Sequence, residues 1–101
     1  MAEWIYFLHP PRAQFAATMT EEEQAAFAAH GEYLRRLLAE GVLIVAGPTL
    51  GDVNTGIMIF EARDEAAARV IVESEPVTSG GLARGELRGF RMGLLRGREP
   101  G

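Results

Sequence analysis

The sequence contains no cysteine and no lysine. The lack of cysteine excludes disulfide bonds, thiolate nucleophiles and thiolate metal sites, so packing alone must stabilise the fold. All basic residues are arginines, which excludes Schiff-base chemistry and a lysine general base. No segment approaches the roughly 20 apolar residues of a membrane-spanning helix, and the N-terminus lacks the pattern of a signal peptide. The sequence therefore predicts a soluble, cytoplasmic protein with no membrane partner.

Charge and motif content exclude further classes of function. The 14 acidic residues outnumber the 10 basic ones, and the net charge of −4 argues against nucleic acid as a partner. No glycine-rich nucleotide-binding loop lies between a strand and a helix. With His9 and His30 as the only histidines and two aspartates, a dedicated metal site is not expected. The sequence thus predicts neither a cofactor nor a metal.

The chain of 101 residues is long enough for one hydrophobic core. We predict one domain over residues 1–96 and a disordered tail over 97–101. A capping box at Thr20 and Glu23 marks the start of a first helix, which Gly41 should end. Asp64 can cap a second helix, which Pro76 should end. Four strands are predicted, over Glu3–His9, Val42–Ala46, Gly56–Ala62 and Arg88–Leu94. With the two helices, the predicted order is βαββαβ.

This order predicts an α+β fold of the ferredoxin-like type, an antiparallel sheet with two helices on one face. The first three strands are apolar at nearly every position, although a sheet with one wet face should alternate. Two helices cover only one face, so we predict that a second copy covers the other in a homodimer. The alternative is that a small domain exposes some apolar surface, as proteins commonly do.

The segment from His30 to Pro48 has the pattern His-x-x-Tyr-Leu-x-x-Leu-x-x-x-Gly-Val-Leu-x-x-Ala-Gly-Pro, and an acid–proline pair, Glu75-Pro76, follows the second helix. Together with the element order, this pattern resembles the YCII-related family of the dimeric α+β barrel superfamily from about Trp4 to Leu95. The resemblance implies a small-molecule pocket in each subunit. It also implies an active-site pair of a histidine and an aspartate, which map onto His30 and Glu75. Glutamate here replaces the usual aspartate.

Residue positions alone leave alternatives open for these two side chains. His30 lies in the apolar stripe of the first helix, where an imidazole needs a hydrogen-bond partner and is either structural or functional. Glu75 is expected at the C-terminal end of a helix, where a negative charge opposes the dipole unless a cation lies nearby. His9, Tyr6 and Arg12 are further candidates for lining the pocket.

Three hypotheses of function follow. The first is a cofactor-independent enzyme in which His30, held by Glu75, performs general acid–base chemistry on a small organic molecule: an isomerisation, elimination or dehydrochlorination. The second is a homodimeric module that binds a small ligand without catalysis, which the glutamate in place of aspartate favours. The third is a purely structural dimer.

Overall fold

A computed structural model describes residues 1–98 of the chain. A short 3₁₀ turn at Phe15–Ala17 precedes the first helix. Over the described residues the strands are β1 Ala2–His9, β2 Leu43–Pro48, β3 Gly56–Ala62 and β4 Arg84–Phe90, and the helices are α1 Glu21–Ala39, α2 Glu65–Glu73 and α3 Pro76–Ser79.

The four strands form one antiparallel sheet in the order β2-β3-β1-β4. Leu37 of α1, and Ala68 and Val72 of α2, pack with the same face of this sheet in one core. The predicted α+β, ferredoxin-like arrangement with both long helices on one face is therefore confirmed. One turn of helix, α3, is an addition that the prediction did not contain.

The helix boundaries follow from local hydrogen bonds. The Thr20 side chain accepts from the backbone N–H of Glu23, while the Glu23 side chain accepts from the backbone N–H of Thr20, which confirms the capping box. Gly41, just after the helix, has a φ of 77°, a left-handed conformation that glycine adopts without strain. The Asp64 side chain caps α2 by accepting from the backbone N–H of Ala67.

The sheet has one covered and one open face. Side chains on the covered face of β1 and β3 are buried beneath the helices, with Phe60 fully buried. The open face carries Ile5 opposite Ile59, Phe7 opposite Ile57, and Val45, which also lies opposite Ile59. Val45 is 53% exposed. Both faces of the central strands are thus apolar, as their lack of alternation predicted.

The last strand lies four residues earlier than the predicted Arg88–Leu94. β4 ends at Phe90, which pairs with Glu3, so β1 offers at most one further residue, Ala2, to a longer strand. The covered face of β4 reads Gly85, Leu87, Gly89, and two glycines give no hydrophobic alternation that would have marked this strand.

The C-terminal tail is partly described. Leu95 and Arg98 form an isolated antiparallel bridge, and residues 96 and 97 form the turn between them. Residues 99–101 of the predicted disordered tail lie outside the described residues, and the division into one domain and a tail stays a prediction. Within residues 1–98, no helix is long and apolar enough to cross a membrane.

Candidate active site

The two side chains predicted to form an active-site pair are in contact. His30 lies on the third turn of α1 and points towards Glu75, and its side chain is 13% exposed. Its Nδ1 lies 2.6 Å from Oε1 of Glu75, which is fully buried. The bond joins residues 45 positions apart and ties α1 to the segment after α2.

Glu75 follows the end of α2 directly, as predicted, but it is also the N-cap of α3, which the prediction did not include. Its Oε1 accepts from the backbone N–H of Val77, and its Oε2 accepts from the backbone N–H and the hydroxyl of Thr78, each at 2.8 Å. Pro76 occupies the first helical position, where proline's missing N–H costs nothing. The helix dipole therefore favours the Glu75 carboxylate instead of opposing it.

These contacts keep Glu75 ionised despite its burial. Burial acts most strongly and would raise the pKa of this carboxyl. The hydrogen bonds from His30, Thr78 and Val77 together outweigh it, and the pKa of Glu75 is lowered. An ionised carboxylate can only accept a hydrogen bond, so Nδ1 of His30 must carry a proton. In neutral His30 the lone pair is then on Nε2.

A cavity of about 230 Å³ lies between α1 and the β2–β3 edge of the sheet, and His30 is in its wall. Phe27 stacks edge-on against the His30 ring, with the ring centroids 5.4 Å apart. No side chain in this wall other than His30 is ionisable near neutral pH, and most of the lining is apolar: Tyr6, Leu8, Phe27, Leu34, Ala46, Gly47, Pro48, Gly56, Ile57 and Met58.

Hydrogen bonds extend the pair to the central strand. The Tyr6 hydroxyl donates to Oγ1 of Thr78 at 3.1 Å, and Thr78 in turn donates to Glu75. Burial raises the pKa of Tyr6, so the hydroxyl stays protonated as a donor. Gly85 makes room for it, because a Cβ on Gly85 would lie 1.7 Å from the Tyr6 oxygen.

The sequence patterns did not indicate a role for Thr78 or Gly85. The signal for Thr78 was present in Glu75-Pro76-Val77-Thr78, because an acid before a proline also matches the start of a helix. No comparable signal exists for Gly85, because its role depends on a tyrosine from another strand.

Of the other three candidate pocket residues, one lines the cavity and two lie outside it. Tyr6 lines the cavity, whereas His9 and Arg12 do not. His9 lies at the end of β1 and pairs with Glu86 of β4 at 2.9 Å. Arg12 forms a two-point ion pair with the buried Glu23, at 2.7 and 3.0 Å, and also donates to Thr18. The Arg12 guanidinium therefore fixes the loop before α1 to the start of that helix.

The part of the chain that the structure describes has no cluster of three or more histidine, aspartate or glutamate side chains that could hold a metal. The chemistry on offer is that of one imidazole, oriented by a buried carboxylate, at an apolar cavity. Such an arrangement can accept a proton at Nε2 while the carboxylate stabilises the resulting imidazolium.

A family model for the YCII-related domain matches residues 4–91, nearly the whole of the described chain. The chain belongs to the YCII-related family. The match begins within β1 and ends just past β4, so it spans the whole sheet and its helices.

A solved structure is similar to this YCII-related chain over most of its length. It is 5-chloro-2-hydroxyhydroquinone dehydrochlorinase (TftG) from Burkholderia phenoliruptrix AC1100, in complex with 2,5-dihydroxybenzoquinone. The two share 27% sequence identity with a TM-score of 0.66, and the match covers 90% of this chain and 94% of the other. The similarity to an enzyme supports a catalytic role on small molecules within the YCII-related family. A comparison with curated proteins gives no match.

Proposed function

We propose that this YCII-related protein is a cofactor-independent enzyme that performs general acid–base chemistry on a small phenolic or quinol-like molecule. His30 is the base and acid, and Glu75 positions it. The observation that carries this proposal is the 2.6 Å contact between Nδ1 of His30 and the fully buried Glu75, at the wall of an apolar cavity.

The proposed reaction begins when Nε2 of His30 takes a proton from a hydroxyl or an activated carbon of the substrate. The electron pair of the broken bond moves into the substrate as a new double bond. In an isomerisation, the imidazolium returns its proton to another substrate atom. In an elimination, a leaving group such as chloride departs with its electron pair and the imidazolium releases its proton to water. Glu75 stabilises the imidazolium throughout.

The walls of the cavity support this class of substrate. They are almost wholly apolar, and the one ionisable group free to meet a ligand is the imidazole. A flat ring with a hydroxyl fits that chemistry, since the ring gains from apolar burial and the hydroxyl can meet Nε2. The ligand in the similar dehydrochlorinase structure, 2,5-dihydroxybenzoquinone, belongs to the same class.

A homodimer is part of the proposal. Ile5, Phe7, Ile57 and Ile59 form an apolar patch on the open face, with Val45 at its edge. A second copy would cover this patch, which no element of the described chain covers. Ile59→Glu should shift the protein towards the monomer in analytical ultracentrifugation. Val70→Glu, which changes an exposed valine on α2, is the matched control, and equal masses for both variants would contradict a dimer through the sheet.

One observation favours a second candidate function, a module that binds a ligand without catalysis. Glu75 accepts three hydrogen bonds from Val77 and Thr78 as a helix cap, so its position has a structural explanation that needs no reaction. The cytoplasm is the compartment that we propose for either function.

A turnover assay distinguishes the enzyme from the ligand-binding module. The wild type and His30→Gln are incubated with chlorinated and unchlorinated hydroxyquinols, while chloride release and the absorbance of the product are followed. We expect His30→Gln to lower kcat by roughly 10²–10⁴-fold, because it removes the base. His9→Gln is the matched control: it alters the other histidine, which also pairs with a glutamate but lies outside the cavity, and should leave kcat unchanged.

Two other outcomes would favour a function without catalysis. Ligand-dependent thermal shifts that His30→Gln weakens, without turnover of any quinol, would favour the binding module. Neither shifts nor turnover would favour the structural dimer.

Glu75→Asp tests whether the site is fitted to glutamate. The helix N–H groups would hold the shorter carboxylate about 1.5 Å further from His30, which breaks the 2.6 Å contact. We expect kcat to fall on the order of a hundredfold with little change in KM, because the imidazole loses its orientation. An unchanged kcat would show that the carboxylate does not orient His30.

A further inference from the structure

A second cavity shares part of its wall, including Phe27, with the first. We call it the annex. Its volume is about 220 Å³, and four of its lining residues also line the active-site cavity: Leu8, Phe27, Pro48 and Gly56. The annex is completed by residues from the β1–α1 segment, the β2–β3 loop and the start of β4: Pro10, Phe15, Ala16, Met19, Asn54 and Ala83.

Hydrogen bonds between two loops hold the annex open. The backbone N–H of Gln14 donates to the carbonyl of Asp52, and the Gln14 side-chain amide donates to the Asp52 carboxylate, both at 2.7 Å. The backbone N–H of Ala16 donates to Oδ1 of Asn54 at 3.0 Å. Gln14 has a φ of 57°, a left-handed conformation that a non-glycine residue keeps only when its surroundings hold it. The walls of the annex are therefore fixed in place.

The annex offers a ligand almost no polar partner. Asn54 is the one side chain in its wall with polar atoms, and its amide is already in use. Its Oδ1 accepts from Ala16, and its Nδ2 donates to the carbonyls of Thr49 and Gly51. Arg12, which could attract an anion, is bound to Glu23 and lines neither cavity. A charged group placed in the annex would therefore lose its hydration without compensation.

Phe27 lines both cavities. Its ring lies 5.4 Å from the ring of His30, which lines the active-site cavity, and 5.4 Å from the ring of Phe15, which lines the annex. A ligand that reaches His30 in the active-site cavity therefore lies beside Phe27, and a substituent directed along Phe27 towards Phe15 would meet the residues of the annex.

We propose that the annex is a specificity subsite that binds an uncharged, apolar substituent on the phenolic or quinol ring of the substrate. The ring occupies the active-site cavity against His30, and a short alkyl or aryl group extends past Phe27. This inference rests on the function proposed above, and it narrows the substrate class from simple phenols to ring-substituted, hydrocarbon-bearing ones.

Two methionines report on the two cavities separately. Met58 lines the active-site cavity and Met19 lines the annex, while Met1 and Met92 line neither and serve as internal controls. Methionine-methyl NMR of the wild-type chain is recorded with phenol, para-ethylphenol and para-butylphenol. We expect phenol to shift Met58 alone, and para-butylphenol to shift both Met58 and Met19. Each methylene in the annex should tighten Kd about fourfold.

A charged probe and two filling variants sharpen the test. A chain of equal length that ends in a carboxylate, para-hydroxyphenylbutanoate, should give no gain over phenol. Ala83→Leu fills the annex and should remove the gain from the butyl chain and the Met19 response, while phenol binding stays unchanged. Ala16→Leu fills it from the exposed 3₁₀ turn and repeats the test if Ala83→Leu lowers stability.

The outcomes separate this inference from the proposed function. Shifts of Met58 with every phenol, while Met19 stays silent and the chain adds no affinity, would overturn the annex and leave the proposed phenol site standing. Silence of Met58 with every phenol would overturn both. Equal gains from the butyl and carboxylate-tipped chains would also overturn the annex, because an apolar wall must discriminate between them.

Discussion

Replacing Glu75 by glutamine tests the central contact of the site most directly. The change keeps the shape of the side chain but turns one acceptor oxygen into a donor NH₂. In the native protein Oε1 accepts from His30 and Val77, and Oε2 accepts twice from Thr78. Whichever way the new amide is turned, the NH₂ meets one backbone N–H, that of Val77 or of Thr78, and leaves it without an acceptor.

The cost follows from those contacts. A buried N–H without a partner costs about 1–3 kcal/mol, and the loss of charge-assisted bonds adds about 1 kcal/mol. We therefore expect Glu75→Gln to lower the free energy of unfolding by about 2–4 kcal/mol at neutral pH. The lowered pKa of Glu75 means that its carboxylate stabilises the fold above the ordinary value of 4.5. That stabilisation is lost as the pH falls through the lowered value, so the difference from wild type should narrow in acid.

Urea unfolding, followed by tryptophan fluorescence at a series of pH values, measures both effects. Glu86→Gln is the matched control, because Glu86 also pairs with a histidine but is partly exposed, and solvent weakens that pair. We expect a much smaller loss there. A loss below 1 kcal/mol for Glu75→Gln, or one that is constant down to the most acid pH at which the protein folds, would refute the account of a buried, ionised cap.

Two further predictions concern stability. Gly85→Ala should lower the free energy of unfolding by about 1–3 kcal/mol, since its Cβ would displace the Tyr6 hydroxyl, whereas Gly89→Ala, with no atom nearer than 3.8 Å, should be tolerated. Equal losses in thermal unfolding would count against the close approach. The hydrogen bonds from Arg12 and from the Thr20 backbone lower the pKa of Glu23 to about 2. The contribution of the Glu23 carboxylate to the free energy of unfolding is therefore lost as the pH falls from 4.5 through 2. Acid unfolding of Glu23→Gln should be less steep than that of wild type; identical profiles would rule this out.

Sequence patterns predicted those parts of the fold whose causes are local. The start of α1 follows from a hydrogen-bond exchange between Thr20 and Glu23, which are three residues apart, so the sequence alone could indicate it. The two-sided apolarity of β1 and β3 is equally visible in the sequence, because side chains alternate between the faces of a strand. The resemblance to the YCII-related family supplied the pairing of His30 with Glu75, which no local pattern indicates.

The errors arose where distant contacts decide the structure. β4 ends one residue short of the start of β1, its partner strand, and no pattern inside β4 records where that partner ends. Arg12 was a candidate for the pocket because its guanidinium could bind an anionic substrate, but in the fold it binds Glu23, eleven residues further along the chain. Glu75 was assigned to the end of one helix alone, although Pro76 can also mark the start of a helix, and in the fold both apply: α2 ends before Glu75 and α3 begins after it.

The double use of the Glu75 carboxylate affects how sequences of related proteins should be compared. Natural selection for a folded chain alone would retain an acid at this position, because α3 needs its cap even in a protein without any activity. His30 contributes a single hydrogen bond within the described residues, and its ring faces the cavity. In a diverging lineage the histidine should therefore be lost first, and its presence is the better marker of surviving chemistry.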